Sequence, residues 1–167
     1  MTEAVPLIFF SPEASSSQTD LGTLPEWDLT HLYESMDAPA LKADLDAIDA
    51  DAKAFAEAHA GKLAETAADP AALLGVIEAY EDLSDRIGRV ISYAGLVYAG
   101  DTSDTARAKF YGDIQERITN ASTQLLFFTL ELNTVDDAVI DAALEYEGLS
   151  RYRPWFEDVR KERPYQL

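Results

Sequence analysis

The sequence predicts an all-α fold: a multi-helix bundle of about five helices, two of them long, behind an irregular N-terminal tail. Three observations carry that prediction. Apolar residues recur at spacings of three and four from about residue 41 onward. Pro and Gly stand where helices of that period would start and stop. No stretch alternates apolar and polar residues at length, as a half-buried strand would.

Taken in order, residues 1–24 read as an irregular or disordered tail, because Ser11-Pro12 and Ser15-Ser16-Ser17 fit neither period. Within it Val5-Pro6-Leu7-Ile8-Phe9-Phe10 is too short to span a membrane and has no basic residue before it. Order is predicted to begin at Leu24-Pro25-Glu26-Trp27-Asp28-Leu29, with the Trp and two Leu anchoring the tail. The first helix has Asp37 as its cap, Pro39 in its first turn and Gly61 past its end. Its stripe is Leu41, Leu45, Ile48, Ala52 and Phe55, with Asp44, Asp46, Asp49 and Asp51 mostly away from it.

The second helix has Asp69 as N-cap, Pro70 at its first position and Gly100 as its stop. Its stripe runs from Leu73 to Tyr98 and becomes apolar nearly all round after Ile87, which predicts burial on several sides. Gly75, Gly88 and Gly95 each cost about 1 kcal/mol relative to Ala, so close approach of a neighbouring backbone is the expected compensation. The third helix is predicted from Thr102 or Ser103 to Leu132. Its core is Phe110, Ile114, Ile118, Leu125, Leu126, Phe128, Leu130 and Leu132. A shorter helix follows Asn133/Thr134, turning Val135, Val139, Ile140, Ala143 and Leu144 inward and ending before Gly148. A last helix, Leu149 to Arg163, is interrupted at Arg153-Pro154, since proline disfavours a helical residue before it.

Composition narrows the function classes. With 31 Asp and Glu against 13 Lys and Arg, the formal net charge of −18 argues against binding nucleic acid or an anionic membrane. A solvated surface is the ordinary reading of such acidity; a field that steers cationic ligands is the sharper one. The absence of cysteine excludes a disulfide framework, a thiol nucleophile and any Cys-ligated metal, and agrees with a cytoplasmic location.

The chemical inventory is thin. Only His31 and His59 are present, and no His-Glu-x-x-His run exists. Asp28 and His31 read as a turn cap, and His59 as a side chain interacting with a helix C-terminal dipole. The aspartates 44–51 lack the glycine of a calcium loop and fall inside a helical period. Asp101-Thr102-Ser103-Asp104 reads as a helix-start box. No catalytic, cofactor-binding or metal-binding residue is therefore assigned. The remaining notable side chains are aromatic: Tyr80, Tyr93, Tyr98 and Tyr111, either core residues or hydroxyls lining a ligand groove.

Several phrases together resemble the oligoendopeptidase F-type zinc peptidases. Leu24-Pro25-Glu26-Trp27-Asp28-Leu29-Thr30-His31-Leu32-Tyr33 resembles the Trp-Asp-Leu opening of that family. Tyr80-Glu81-Asp82-Leu83 followed by Arg86 to Ala94 is similar to its long second helix. The tracts Asp101–Asp104, Phe110–Leu126 and Leu149–Tyr165 follow in the family's order. The resemblance implies that residues 25–167 are the helical N-terminal lobe of a longer enzyme that hydrolyses short peptides. Its zinc is expected in a catalytic domain beyond Leu167, with none bound by this chain. The lobe would wall the substrate channel, with the four tyrosines as channel candidates and the C-terminal catalytic domain of the same protein as partner. Alone it is expected to be inactive, and its uncovered apolar surface could lead it to self-associate. The alternative is a free-standing acidic helical module that binds basic proteins.

Overall fold

The structure is a computed structural model that describes residues 27–166. Its first helix, α1 (Pro39–His59), buries Leu41, Leu45, Ile48, Ala52 and Phe55, the full predicted stripe. Asp37 does not cap it. Ala38 is the N-cap and no side chain bonds the free amides, so Pro39 alone sets the start. Beyond the helix Gly61 takes a φ of +79°, a conformation that L side chains rarely adopt. Its amide donates to Glu131 Oε1 at 2.7 Å, tying this corner to the end of a later helix. A single turn, α2 (Leu63–Thr66), follows and was not foreseen; it buries Leu63 completely.

The long helix α3 (Pro70–Gly100) has the predicted bounds. Asp69 accepts from the amides of Ala71 and Ala72 at 3.0 and 3.3 Å. The second long helix, α4 (Thr105–Leu132), starts two or three residues later than foreseen. Asp104 caps it through Ala106 and Arg107, while Asp101 closes a turn on Ser103. These helices are roughly 46 and 42 Å long at 1.5 Å per residue. They pack on each other and on α1, and this three-helix unit holds most of the core.

The remainder folds over the end of the unit. It comprises α5 (Asp137–Ala143), α6 (Glu147–Ser150), α7 (Arg153–Lys161) and a 3-10 turn (Arg163–Tyr165). The break expected at Arg153-Pro154 lies two residues earlier, at Arg151-Tyr152 between α6 and α7; Arg153 and Pro154 open α7, where proline lacks no needed amide. Gly148 lies inside α6 rather than past a helix end. A Cβ there would collide with Leu74 Cδ2, so its lack of a side chain lets α6 lie against α3.

Four expectations about burial are corrected. Trp27 is 69% exposed, and Leu29, Leu32 and the buried Tyr33 hold the chain to the core in its place; Leu24 and the hexapeptide 5–10 lie outside the described residues. Leu126 and Leu130 are 59% and 47% exposed, because α4 turns Leu125 and Phe128 inward and leaves its far side open. The end of α3 is only half covered: past Ile87, Val90, Tyr93 and Ala94 are buried, while Ile91, Leu96, Val97 and Tyr98 are partly exposed. Gly75 and Gly88 face open space, and Gly95 meets the Tyr111 side chain rather than a backbone.

Candidate functional site

The four tyrosines do not converge on one site. Tyr93 is buried between Tyr33 and Phe110, edge-on to both at 5.1 and 6.1 Å. Burial raises the pKa of its hydroxyl. Tyr98, on the half-exposed end of α3, and Tyr111 of α4 stack almost parallel at 5.3 Å, and the Tyr111 hydroxyl accepts from Gln115 at 3.0 Å. Tyr80 stacks on Phe128 at 4.3 Å and lies next to Phe55, while Trp155 stacks with Phe128. Tyr80 also lines a groove.

That groove, about 330 Å3, runs between α3 and α4. Tyr80, Ser84, Ile87 and Gly88 line one side; Ser122, Leu125, Leu126 and Thr129 line the other. Both sets repeat at three- and four-residue spacing, so each is one face of its helix. Three of the eight are small (Ser84, Gly88 and Ser122), and no Cβ fills the space over Gly88. The helices therefore stay in contact on their α1 side while their outer faces leave a trough. Its polar groups are hydroxyls, with no carboxylate or basic group among its lining residues.

Thr129 also belongs to a second hollow of about 300 Å3, with Asn133, Val159, Glu162, Tyr165 and Gln166. Asn133 is 4% exposed. Its Nδ2 donates to the Val159 carbonyl at 2.9 Å, and its Oδ1 has no partner among the described residues. This amide joins the end of α4 to α7. Nearby Asp137 receives both Arg160 and Arg163. Burial, and then Arg163, lower the pKa of Arg160.

The aspartates of α1 are engaged in packing. Asp46 and Asp49 hold Arg117 of α4 at 2.7 and 2.6 Å. Asp51 holds Arg86 of α3 at 2.5 Å, and Asp44 accepts from the Tyr33 hydroxyl at 2.6 Å. Burial and this carboxylate raise the Tyr33 pKa strongly. Hydrogen bonds from Arg117 and then Lys42 lower the pKa of Asp46. Sequence reasoning placed these acids off the apolar stripe but missed their partners, since the arginines lie 35 to 71 residues away. The signal was there in principle: Arg86, Arg89 and Arg117 are long cations beside apolar stripes.

The two histidines are far from any ligand set. Asp28 caps a turn through the Thr30 amide and hydroxyl at 3.0 and 2.6 Å, and His31 is exposed. His59 sits in the last turn of α1 with its ring 4.9 Å from Phe55. Burial, and then Lys62, lower its pKa, so at neutral pH it packs as a neutral ring rather than as a charge on the dipole. Among the described residues no three His, Asp or Glu side chains cluster as metal ligands would. No helix among them is long and apolar enough to cross a membrane.

Comparison with known families gives one match. The model described as oligopeptidase F, for the N-terminal region of that peptidase family, matches residues 131–167. The matched segment runs from the end of α4 through α5, α6 and α7 to the 3-10 turn. It takes in the Leu149–Tyr165 stretch and all of the Asn133 hollow's lining except Thr129, but not the Trp27 or Tyr80–Ala94 stretches. Searches of curated proteins and of solved structures return no significant match.

Proposed function

Proceeding from a C-terminal segment similar to the N-terminal region of oligopeptidase F, we propose that this chain is the non-catalytic helical lobe of a zinc-dependent oligopeptidase. In this reading it walls the channel through which short peptides reach a catalytic domain of the same protein. The match over residues 131–167 carries the proposal. The all-helical bundle and its uncovered apolar side chains support it. Leu130, Tyr146 and Tyr165 stand 47%, 44% and 82% exposed in or beside the matched segment, the surface a neighbouring domain would cover.

The lobe contributes shape rather than bond-breaking chemistry, and zinc belongs to the catalytic domain. Of the channel candidates, Tyr98 and Tyr111 offer the accessible aromatic surface and Tyr80 an edge in the groove, while Tyr93 is packed in the core against Tyr33 and Phe110. A cytoplasmic location belongs to the same reading. The alternative, an acidic adaptor for basic proteins, loses part of its basis because the α1 aspartates already hold Arg86, Arg89 and Arg117.

The test compares the 167-residue chain alone with the same chain joined to, or mixed with, the catalytic part encoded in the same reading frame. Zinc content and cleavage of a fluorogenic short peptide are the readouts. The proposal expects neither from the chain alone and both from the assembled protein. Stoichiometric zinc uptake or peptide cleavage by the chain alone would overturn it.

A further inference from the structure

We propose that the hexapeptide Val5–Phe10 of this same chain docks in the groove between α3 and α4. The groove displays apolar surface at Ile87, Leu125 and Leu126, and Leu126 is 59% exposed. Each 100 Å2 of such surface removed from water contributes about 2.5 kcal/mol before ordering costs. An occupant that covers it must be apolar, uncharged and narrow.

The lining sets that chemistry. The polar groups facing the groove are hydroxyls, from Tyr80, Ser84, Ser122 and Thr129, with no carboxylate to select a cation and no base to select an acid. Hydroxyls both donate and accept, so they suit the bare N–H and C=O groups of an extended backbone. From Ser122 to Thr129 the groove runs about 10 Å along α4, the rise of seven helical residues. That equals about three residues of extended chain, so two alternate side chains fill it. Val5-Pro6-Leu7-Ile8-Phe9-Phe10 carries no charge, and every one of its side chains is apolar.

Covalent connection favours this occupant over others. Residues 11–26 lie between Phe10 and Trp27, where the described chain begins. Those sixteen residues reach up to about 53 Å when extended, beyond the length of α3. Tethering places the hexapeptide at an effective concentration in the millimolar range. A second copy meets the opposite condition, because each chain carries a net charge of −18 and like-charged molecules repel. The inference does not depend on the peptidase reading.

The test exploits the absence of cysteine. Ser11→Cys gives one attachment point for a nitroxide, and methyl NMR spectra of the full 167-residue chain report what lies near it. The expected result is a loss of Ile87, Leu125 and Leu126 methyl intensity when the label is oxidised, unchanged on dilution. That loss should disappear in the Phe9→Asp/Phe10→Asp double variant. It should also disappear at Ile87 and Leu125 with Leu126→Asp, a surface change that leaves the buried core intact. Mixing spin-labelled chains with isotope-labelled, nitroxide-free chains separates the sources. Transfer of the effect between chains would mean a second copy fills the groove, and would overturn the proposal. No selective loss at the groove, or a loss that survives Phe9→Asp/Phe10→Asp, would overturn it as well.

Discussion

His59 illustrates how a single residue departs from its expected role. Beside a helix C-terminus a charged imidazole is the usual reading, yet burial against Phe55 holds this ring's pKa below its ordinary value. The folded state then binds fewer protons than the unfolded state between the folded pKa and about 6.5. Stability should therefore rise as pH increases through that window and level off above it. Urea denaturation between pH 5 and 8 checks this, and His59→Phe should flatten that part of the curve. Gly75 gives a second residue-scale prediction. It lies inside α3 and a Cβ would meet nothing within 4 Å, so Gly75→Ala should stabilise the chain by about 0.5–1 kcal/mol. Calorimetry should show a Tm increase of about 1–4 °C.

Among the elements, α3 owes its sharp start to Asp69, whose side chain bonds two otherwise free amides. Asp69→Ala should cost about 1 kcal/mol, measured by chemical denaturation, and Asp69→Ser should recover most of it. The contact of α1 with α4 adds an ionic clamp in which Asp46 and Asp49 share Arg117. These groups remain partly exposed to water, so Arg117→Gln should lower stability only slightly, by less than about 1 kcal/mol, and less still in high salt. The lowered pKa of Asp46 means its contribution is present above the usual carboxylate range and fades as pH falls through it. Helix bounds were legible where a side chain or an imino acid punctuates the chain, as at Asp69-Pro70. They were misread at Asp37, where no side chain caps the helix and Pro39 alone sets its start, and at Thr102/Ser103, where several short polar side chains compete and the packed geometry selects Asp104.

For the whole molecule, the decisive contacts are those of Phe128, which is fully buried and touches Phe55 from α1, Tyr80 from α3 and Trp155 from α7. It locks the segment similar to oligopeptidase F onto the three-helix unit. Phe128→Ala should cost about 3–5 kcal/mol. Circular dichroism should show a single, markedly lowered unfolding transition, since the cavity touches every layer. Loss of structure confined to residues 131–166 would show instead that this segment folds independently. The division of the surface also belongs to this scale: one side of α3 and α4 is sealed by α1, while the other bears the groove and the exposed leucines.

The all-helical class, the α1 stripe and the bounds of α3 were determined by the sequence alone, because three-and-four periodicity and Asp-Pro punctuation are local properties of the chain. So was the resemblance to oligopeptidase F, of which the family model supports residues 131–167. Which face of a broad apolar helix is covered was decided only in three dimensions. Leu125 and Leu126 are adjacent and identical in type, yet one is 6% and the other 59% exposed. Residue type sets the free energy available from burial, but the neighbouring helices decide which side chain receives it. The same holds for the tyrosines. Hydroxyl chemistry nominated all four, and packing separated buried Tyr93 from the Tyr98–Tyr111 stack and from Tyr80 at the groove.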